Sequence, residues 1–117
     1  MSSAKKLFLV VLGGRCKGCH VEQHDVRWVV GETIDATLPA LRQEWIGIRR
    51  GLHIDSYRCI DHVDGYRVEV VEQAQDPSSA DGPQLWFVNL GAYDPTSMAE
   101  QHAFGVIVAR SSASAKA

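Results

Sequence analysis

The sequence predicts an α+β domain in which a mostly antiparallel sheet of about six strands carries one main helix on one face. First, residues 7–12 are continuously apolar, which is typical of an inner strand covered on both faces. Second, a single long helical pattern is present, with apolar residues at Ile34, Leu38, Leu41 and Trp45. Third, the other apolar segments are short and closely spaced, which favours antiparallel pairing over a doubly wound nucleotide-binding fold.

The remaining strands are predicted at residues 24–30, 52–61, 66–72, 85–90 and 104–109. The helix has two candidate N-caps. Thr33 would leave Pro39 inside the helix, where the missing N–H costs a hydrogen bond, whereas Thr37 would place Pro39 in the first turn. We therefore expect a short turn from Thr33, then a helix from the Thr37 cap to about Ile46, ended by Gly47.

The turns follow from glycine, proline and aspartate. A three-residue turn with Gly65 left-handed would place Ile60 opposite Val68 and Asp61 opposite Arg67, and we prefer it to a two-residue Asp64-Gly65 loop. Residues 73–84 are expected to form a surface loop, and Asp94 to cap a helical turn over 95–100. We expect one domain over residues 1–110 and a frayed tail over 111–117, and we recognise no internal repeat.

The composition restricts the class of protein. A chain of 117 residues with a net charge of −2 is long enough for one core, and its charge disfavours nucleic-acid binding. Three cysteines cannot all pair within the chain, no apolar run reaches the roughly 18–20 residues of a membrane span, and the apolar run at 7–12 is short for a secretory signal. We therefore expect a cytoplasmic protein with reduced thiols and no membrane partner.

The strongest chemical motif is Cys16-Lys17-Gly18-Cys19-His20, with His24 four residues further on. As a metal site, Cys16, Cys19, His20 and His24 supply donors that Zn²⁺ accepts, with His53 or His102 as a distant donor. If the two cysteines are a redox dithiol, Cys16 would be the attacking thiol and Cys19 the resolving thiol. Covalent haem attachment also matches this pattern but is disfavoured in the cytoplasm. A loop with chemically inert thiols is the ordinary alternative.

A second group of polar residues is dispersed along the chain, and consists of His24, Asp25, His53, Asp55, Asp94, Glu100 and His102. Strand alternation places His53 and Asp55 on one face, which suits a shared ligand, a metal centre or an acid–base pair. Ordinary structural roles are favoured, because no sequence rule brings these segments together. Five aromatic residues lie in apolar patterns and are expected in the core rather than in a stacking platform for bases or sugars: Trp28, Trp45, Trp86, Phe87 and Phe104.

Several motifs resemble a small bacterial family known only as a domain of unknown function, DUF1543. They are Leu12-Gly13-Gly14, Leu52-His53-Ile54-Asp55, Val63-Asp64-Gly65-Tyr66, and Phe87-Val88-Asn89-Leu90-Gly91 followed by Tyr93-Asp94-Pro95. This family occurs as one or two copies per chain. The resemblance spans residues 6–109 and implies a single copy here, in a bacterial cytosolic protein. It supplies no activity, substrate or catalytic residue, and a Cys-x-x-Cys-His motif is not part of it.

The sequence thus leaves enzymatic activity undecided and favours a non-catalytic binding or interaction module. The alternatives are a zinc-type metal-binding domain and a thiol redox protein. Since one helix would leave part of the sheet exposed, we also expect a symmetric homodimer.

Overall fold

The computed structural model describes residues 4–72 and 82–117, and the chain divides into two compact units. Unit 1 comprises Met1–Asp61 and Val68–Val70, and unit 2 comprises His62–Arg67 and Val71–Ala117. Antiparallel sheets and one main helix give the predicted α+β class. The expectation of a single domain ending at residue 110 stays a prediction.

Unit 1 contains a three-stranded antiparallel sheet and the main helix. Its elements are β1 (Lys6–Arg15), β2 (Gln23–Gly31), α1 (Ile34–Glu44) and β3 (Ile48–Cys59), and the strand order is β2-β1-β3. The apolar segment is therefore an inner strand, as predicted. Phe8, Val10 and Leu12 are buried in one core with Leu41 of α1 and the adjacent Trp45.

The helix begins earlier than predicted. Thr33 is the N-cap, and its side-chain oxygen accepts from the backbone N–H of Ala36 at 3.2 Å. Pro39 consequently lies inside the helix, and the preference for Thr37 as cap is wrong. Thr37 is instead almost completely buried and its hydroxyl donates to the Ile34 carbonyl at 2.6 Å. Packing of this first turn outweighs the hydrogen bond that proline removes.

Unit 2 contains two hairpins and a short helix. Its elements are β4 (His62–Val63), β5 (Tyr66–Arg67), β6 (Gln84–Ala92), β7 (Gln101–Ala109) and α2 (Ser112–Lys116). In the described residues β4 pairs with β5, and β6 pairs with β7. The single sheet of about six strands is therefore wrong: in the part of the chain that the structure describes, the strands form three small sheets. Both edges of β1 are already occupied by β2 and β3, whereas the strands of unit 2 pair locally.

The β4–β5 turn differs from the expected one. Val63 pairs with Tyr66, which leaves a two-residue Asp64-Gly65 loop with both residues at positive φ. The preferred three-residue turn is therefore wrong. Asp64 tolerates the left-handed conformation, and its carboxylate accepts from the Val108 N–H at 2.8 Å, so a tertiary contact favours the tighter turn.

Three other expectations concern unit 2. Residues 95–100 form no helical turn; Asp94 instead closes a β-turn in which the Ser97 N–H donates to its carbonyl. The predicted tail contains α2, with Ala115 buried. The loop predicted at 73–84 lies mostly outside the described residues.

The β1–β2 and β6–β7 hairpins share one register. Lys6 pairs with Gly31 in the first hairpin, and Gln84 pairs with Ala109 in the second. An offset of 78 positions carries every pair of one ladder onto a pair of the other. The expectation of no internal repeat is therefore wrong.

Other local features of the two hairpins and of the helices that follow them recur at the same offset of 78 positions. They are the caps Thr33–Ala36 and Ser111–Ser114, the turns Cys16–Cys19 and Asp94–Ser97, and the buried helix residues Thr37 and Ala115. Eight residues are identical between the two copies: Leu7/Leu85, Val10/Val88, Leu12/Leu90, Gly13/Gly91, Glu22/Glu100, Gln23/Gln101, His24/His102 and Val30/Val108. Identity this low over so short a span makes the repeat much clearer in the structure than in the sequence.

The N-cap of α1 gives the first testable prediction. Thr33→Ala removes the acceptor for the Ala36 N–H, and we expect the free energy of unfolding to fall by about 1 kcal/mol. Urea denaturation followed by circular dichroism measures this change. Thr33→Ser keeps the hydroxyl and serves as the control; equal losses in both variants would contradict the capping role.

Candidate functional site

The cysteine loop does not gather the predicted metal ligands. Residues 16–19 form a turn in which the Cys19 N–H donates to the Cys16 carbonyl at 3.1 Å. Cys16 is half-buried beside Gly47, whereas Cys19 and His20 are exposed. All three cysteines are free. His24 lies instead beside Asp55, at 3.4 Å.

The other predicted donor, His102, belongs to unit 2 and lies 3.5 Å from Glu100. Within residues 4–72 and 82–117, no group of three or more His, Cys, Asp or Glu side chains is arranged to hold a metal ion. The Cys16, Cys19, His20 and His24 ligand set therefore stays a prediction.

A different cluster forms where β1 ends. Gly13 pairs with His24 of β2 on one side and with His53 of β3 on the other. Paired residues of neighbouring strands project from the same face, so two imidazoles flank a position that has no side chain. A Cβ atom at Gly13 would lie 2.5 Å from Glu22 Oε1 and 2.8 Å from His53 Nε2. The glycine therefore makes room for a polar cluster.

A β-bulge brings the second carboxylate into this cluster. Val11 pairs with Ser56 and Leu12 with Ile54, which leaves Asp55 as an extra residue in β3. Asp55 Oδ1 lies 3.1 Å from His53 Nε2. Alternation along the strand correctly placed these two side chains on one face. We call Glu22, His24, His53 and Asp55 the His–carboxylate cluster.

The protonation of His53 follows from its hydrogen bonds. Its Nδ1 lies 3.0 Å from the carbonyl oxygen of Gly51, which can only accept, so Nδ1 carries a proton. Nε2 then faces Glu22 Oε1 at 2.7 Å and Asp55 Oδ1 at 3.1 Å. A bare lone pair facing two carboxylates is unfavourable, so this geometry favours a second proton. The Gly51 hydrogen bond, foremost, and the charges of Glu22 and Asp55 raise the pKa of His53, while partial burial opposes them.

Two predicted candidates have structural roles instead. Asp25 lies 3.0 Å from the guanidinium of Arg27 within β2. Asp94 accepts from the backbone N–H and the hydroxyl of Thr96, and these hydrogen bonds lower the pKa of its carboxyl group. Glu22 was missed by sequence reasoning, because it lies in a polar loop. The repeated Glu-Gln-His sequence at 22–24 and 100–102 is the signal that could have found it.

The comparisons with known proteins agree with this fold. A family model described as Domain of Unknown Function (DUF1543) matches residues 19–70. The chain is also similar to a solved structure, "Crystal structure of a protein Il1583 from Idiomarina loihiensis", with 38% identity and a TM-score of 0.74; the match covers 96% of this chain and 68% of that one. No curated protein matches. The chain belongs to the DUF1543 family.

None of the helices in the described ranges has the length and apolar character that crossing a bilayer requires.

The His53 contacts give a pH prediction for chelator-treated protein. Because the folded state raises the pKa of His53 above 6.5, its contribution to stability is present at pH values below the unfolded pKa and is lost as pH rises through the folded pKa. We expect imidazole NMR to give a pKa above 6.5 for His53.

Two variants test whether the charge of Glu22 contributes to the raised pKa of His53. Glu22→Gln should lower the pKa of His53, because it removes one of the two facing negative charges. Glu32→Gln removes an exposed carboxylate elsewhere in unit 1 and should leave it unchanged. A pKa of His53 that is the same in both variants would contradict the geometry described above.

Proposed function

We propose that this domain is a non-catalytic binding module and that its ligand is a divalent transition-metal cation of the zinc type. His53, Glu22 and Asp55 would hold the cation, with His24 as the fourth donor. The observation that carries the proposal is the orientation of His53, whose Nδ1–H is fixed on the Gly51 carbonyl while Nε2 faces two carboxylate oxygens. Metal-ligating histidines are typically oriented by such a backbone hydrogen bond on the second ring nitrogen.

The spacing of the donors supports the same interpretation. Tetrahedral coordination at about 2.0–2.1 Å separates neighbouring ligand atoms by roughly 3.3 Å. The distances from His53 Nε2 to its two carboxylate oxygens are 2.7 and 3.1 Å, and His24 Nε2 lies 3.4 Å from Asp55. As they stand, these are hydrogen-bond distances in a proton-linked cluster, which is not arranged as a metal centre. A cation would displace the proton on His53 Nε2, and rotation of the partly exposed side chains would bring their donor atoms around it. All four side chains are partly exposed, so a cation could enter from solvent.

The cysteine loop is the second candidate, either as a zinc-type site or as a redox dithiol. Its adjacent cysteines and histidines supply soft donors, and the thiols are free. However, the repeat places Asp94, Ser97 and Met98 at the positions of Cys16, Cys19 and His20, while the turn itself recurs. The shared feature of this loop is therefore its turn, and we rank its chemistry below that of the His–carboxylate cluster.

Metal titration tests the proposal. We expect Zn²⁺ to bind in isothermal titration calorimetry, and His53→Gln to weaken binding by about 10–100-fold or more. Asp55→Asn should give a loss of similar size. Substitution with Co²⁺ should give a tetrahedral spectrum without thiolate charge transfer, because no sulfur ligand is involved.

Controls distinguish the two loops. The double variant Cys16→Ser/Cys19→Ser and the single variant His20→Ala leave all four proposed ligands in place and should bind zinc as the wild type does. Loss of binding in these variants, together with a thiolate charge-transfer band, would transfer the site to the cysteine loop. Absence of zinc binding in the wild type would refute both metal sites.

Two further parts of the proposal concern the cellular compartment and nucleic-acid binding. We propose a cytosolic protein, supported by three free cysteines that a reducing compartment would keep as thiols. We propose no nucleic-acid partner, because a net charge of −2 offers little attraction to phosphate.

We further propose a homodimer formed through the distal part of the β6–β7 hairpin. Leu90 and Tyr93 are 55% and 78% exposed, and in the described residues these two strands pair only with each other. A two-stranded ribbon is marginally stable in water, and a second copy would cover its apolar side chains without introducing charge repulsion, since the net charge is small.

Light scattering across the micromolar range tests the dimer. We expect the mass of a dimer for the wild type and of a monomer for Leu90→Lys, because a buried charge opposes association. Val21→Lys changes an apolar residue of unit 1 that is 72% exposed, and this variant should stay dimeric. A monomeric wild type at all concentrations would refute the proposal.

A further inference from the structure

We infer that the β6–β7 hairpin carries a second cation site, formed by Glu100 and His102 above Gly91. This inference deepens the proposed function, on which it rests, because it assigns the same ligand class to the second copy of the hairpin. It concerns unit 2 by itself and depends on no contact with unit 1.

The geometry around Gly91 repeats that around Gly13. Gly91 pairs with His102 as Gly13 pairs with His24. A Cβ atom at Gly91 would lie 2.6 Å from Glu100 Oε1, compared with 2.5 Å from Glu22 Oε1 at Gly13. His102 Nε2 and Glu100 Oε2 are 3.5 Å apart, and both side chains are about 60% exposed. A glutamate thus folds over a glycine beside a histidine in each copy.

The pattern of identity between the copies points to the same residues. Four of the eight identical positions are apolar strand residues, a residue type that β-strands favour in general. The other four are the glycine and the Glu-Gln-His sequence, of which the glycine, the glutamate and the histidine lie at the polar site of their copy. The loop between them shares no residue, since positions 14–21 and 92–99 differ throughout. The stability of a hairpin does not depend on having a glutamate and a histidine at these exposed positions. Binding of the same ligand by both copies would explain why both residues are present in each.

The donor atoms at the Glu100–His102 site indicate which class of ligand it would bind and whether it fills before or after the His–carboxylate cluster. One imidazole nitrogen and one carboxylate oxygen suit Zn²⁺ and related cations, with water in the remaining positions. In the first copy, Glu22 and His24 correspond to Glu100 and His102, and β3 adds His53 and Asp55 as two further donors. We therefore expect the His–carboxylate cluster to fill first and the Glu100–His102 site to fill at higher zinc concentration.

Histidine side-chain NMR during zinc titration of the whole chain tests this inference, because each imidazole reports its own surroundings. We expect His24 and His53 to respond first and His102 second. The titration uses the whole chain with Cys16→Ser/Cys19→Ser, so that no thiol can hold zinc beside His20. In this variant the exposed His20 is the reference for unspecific binding by a surface imidazole, and His102 should respond at a zinc concentration at least about tenfold lower than His20.

A matched pair of variants isolates the second site. Glu100→Gln should shift the response of His102 about tenfold towards higher zinc and leave that of His53 unchanged. Glu72→Gln removes one exposed negative charge elsewhere in unit 2 and should leave both responses unchanged. An equal shift of His102 in both variants would indicate a general charge effect and overturn the inference.

The outcomes separate this inference from the proposed function. If His24 and His53 respond and His102 behaves like His20, the second site is refuted while the first stands. If His102 alone responds ahead of His20, the second site stands and the proposed cluster is refuted. If all histidines behave like His20, both are refuted.

Discussion

The burial of one face of β1 fixes the position of every other feature of unit 1. Phe8, Val10 and Leu12 pack against α1, and a slip of one residue would turn these side chains to the opposite face. The same alternation directs Gly13 away from the helix, towards His24 and His53. Hydrophobic burial therefore determines where the polar cluster forms, although no member of the cluster contributes to the core.

The sequence predicted those features that depend on local pattern. The inner strand and the single main helix follow from the apolar pattern, and the common face of His53 and Asp55 follows from the alternation of side chains along a strand. The helix cap was wrong because the choice between Thr33 and Thr37 was decided by Pro39 alone, whereas burial of Thr37 in the first turn has the larger effect. The tight Asp64 turn depends on a hydrogen bond to Val108, which no local rule contains.

The site was harder to predict than the fold because it depends on strand pairing between distant segments. Glu22 and His53 are 31 positions apart, and only the registers of β2 and β3 on β1 bring them together. The bulge at Asp55 adds a further step that alternation cannot anticipate. The Cys16–Cys19 spacing is a local pattern and is easily recognised in the sequence. In the structure, however, one thiol is exposed and the other lies beside Gly47.

The repeat gives a physical reason to regard the glycines as functional. A glycine inside a strand costs about 0.5–1 kcal/mol relative to alanine, because the unfolded chain gains freedom and the strand loses packing. Neither Gly13 nor Gly91 is at positive φ, so neither turn geometry nor backbone strain requires the residue. What both positions share is a glutamate carboxylate where a Cβ atom would lie. Each hairpin therefore keeps, at the same cost in stability, a glycine beneath a glutamate carboxylate that precedes a histidine by two positions, and packing of the strands requires none of these three residues.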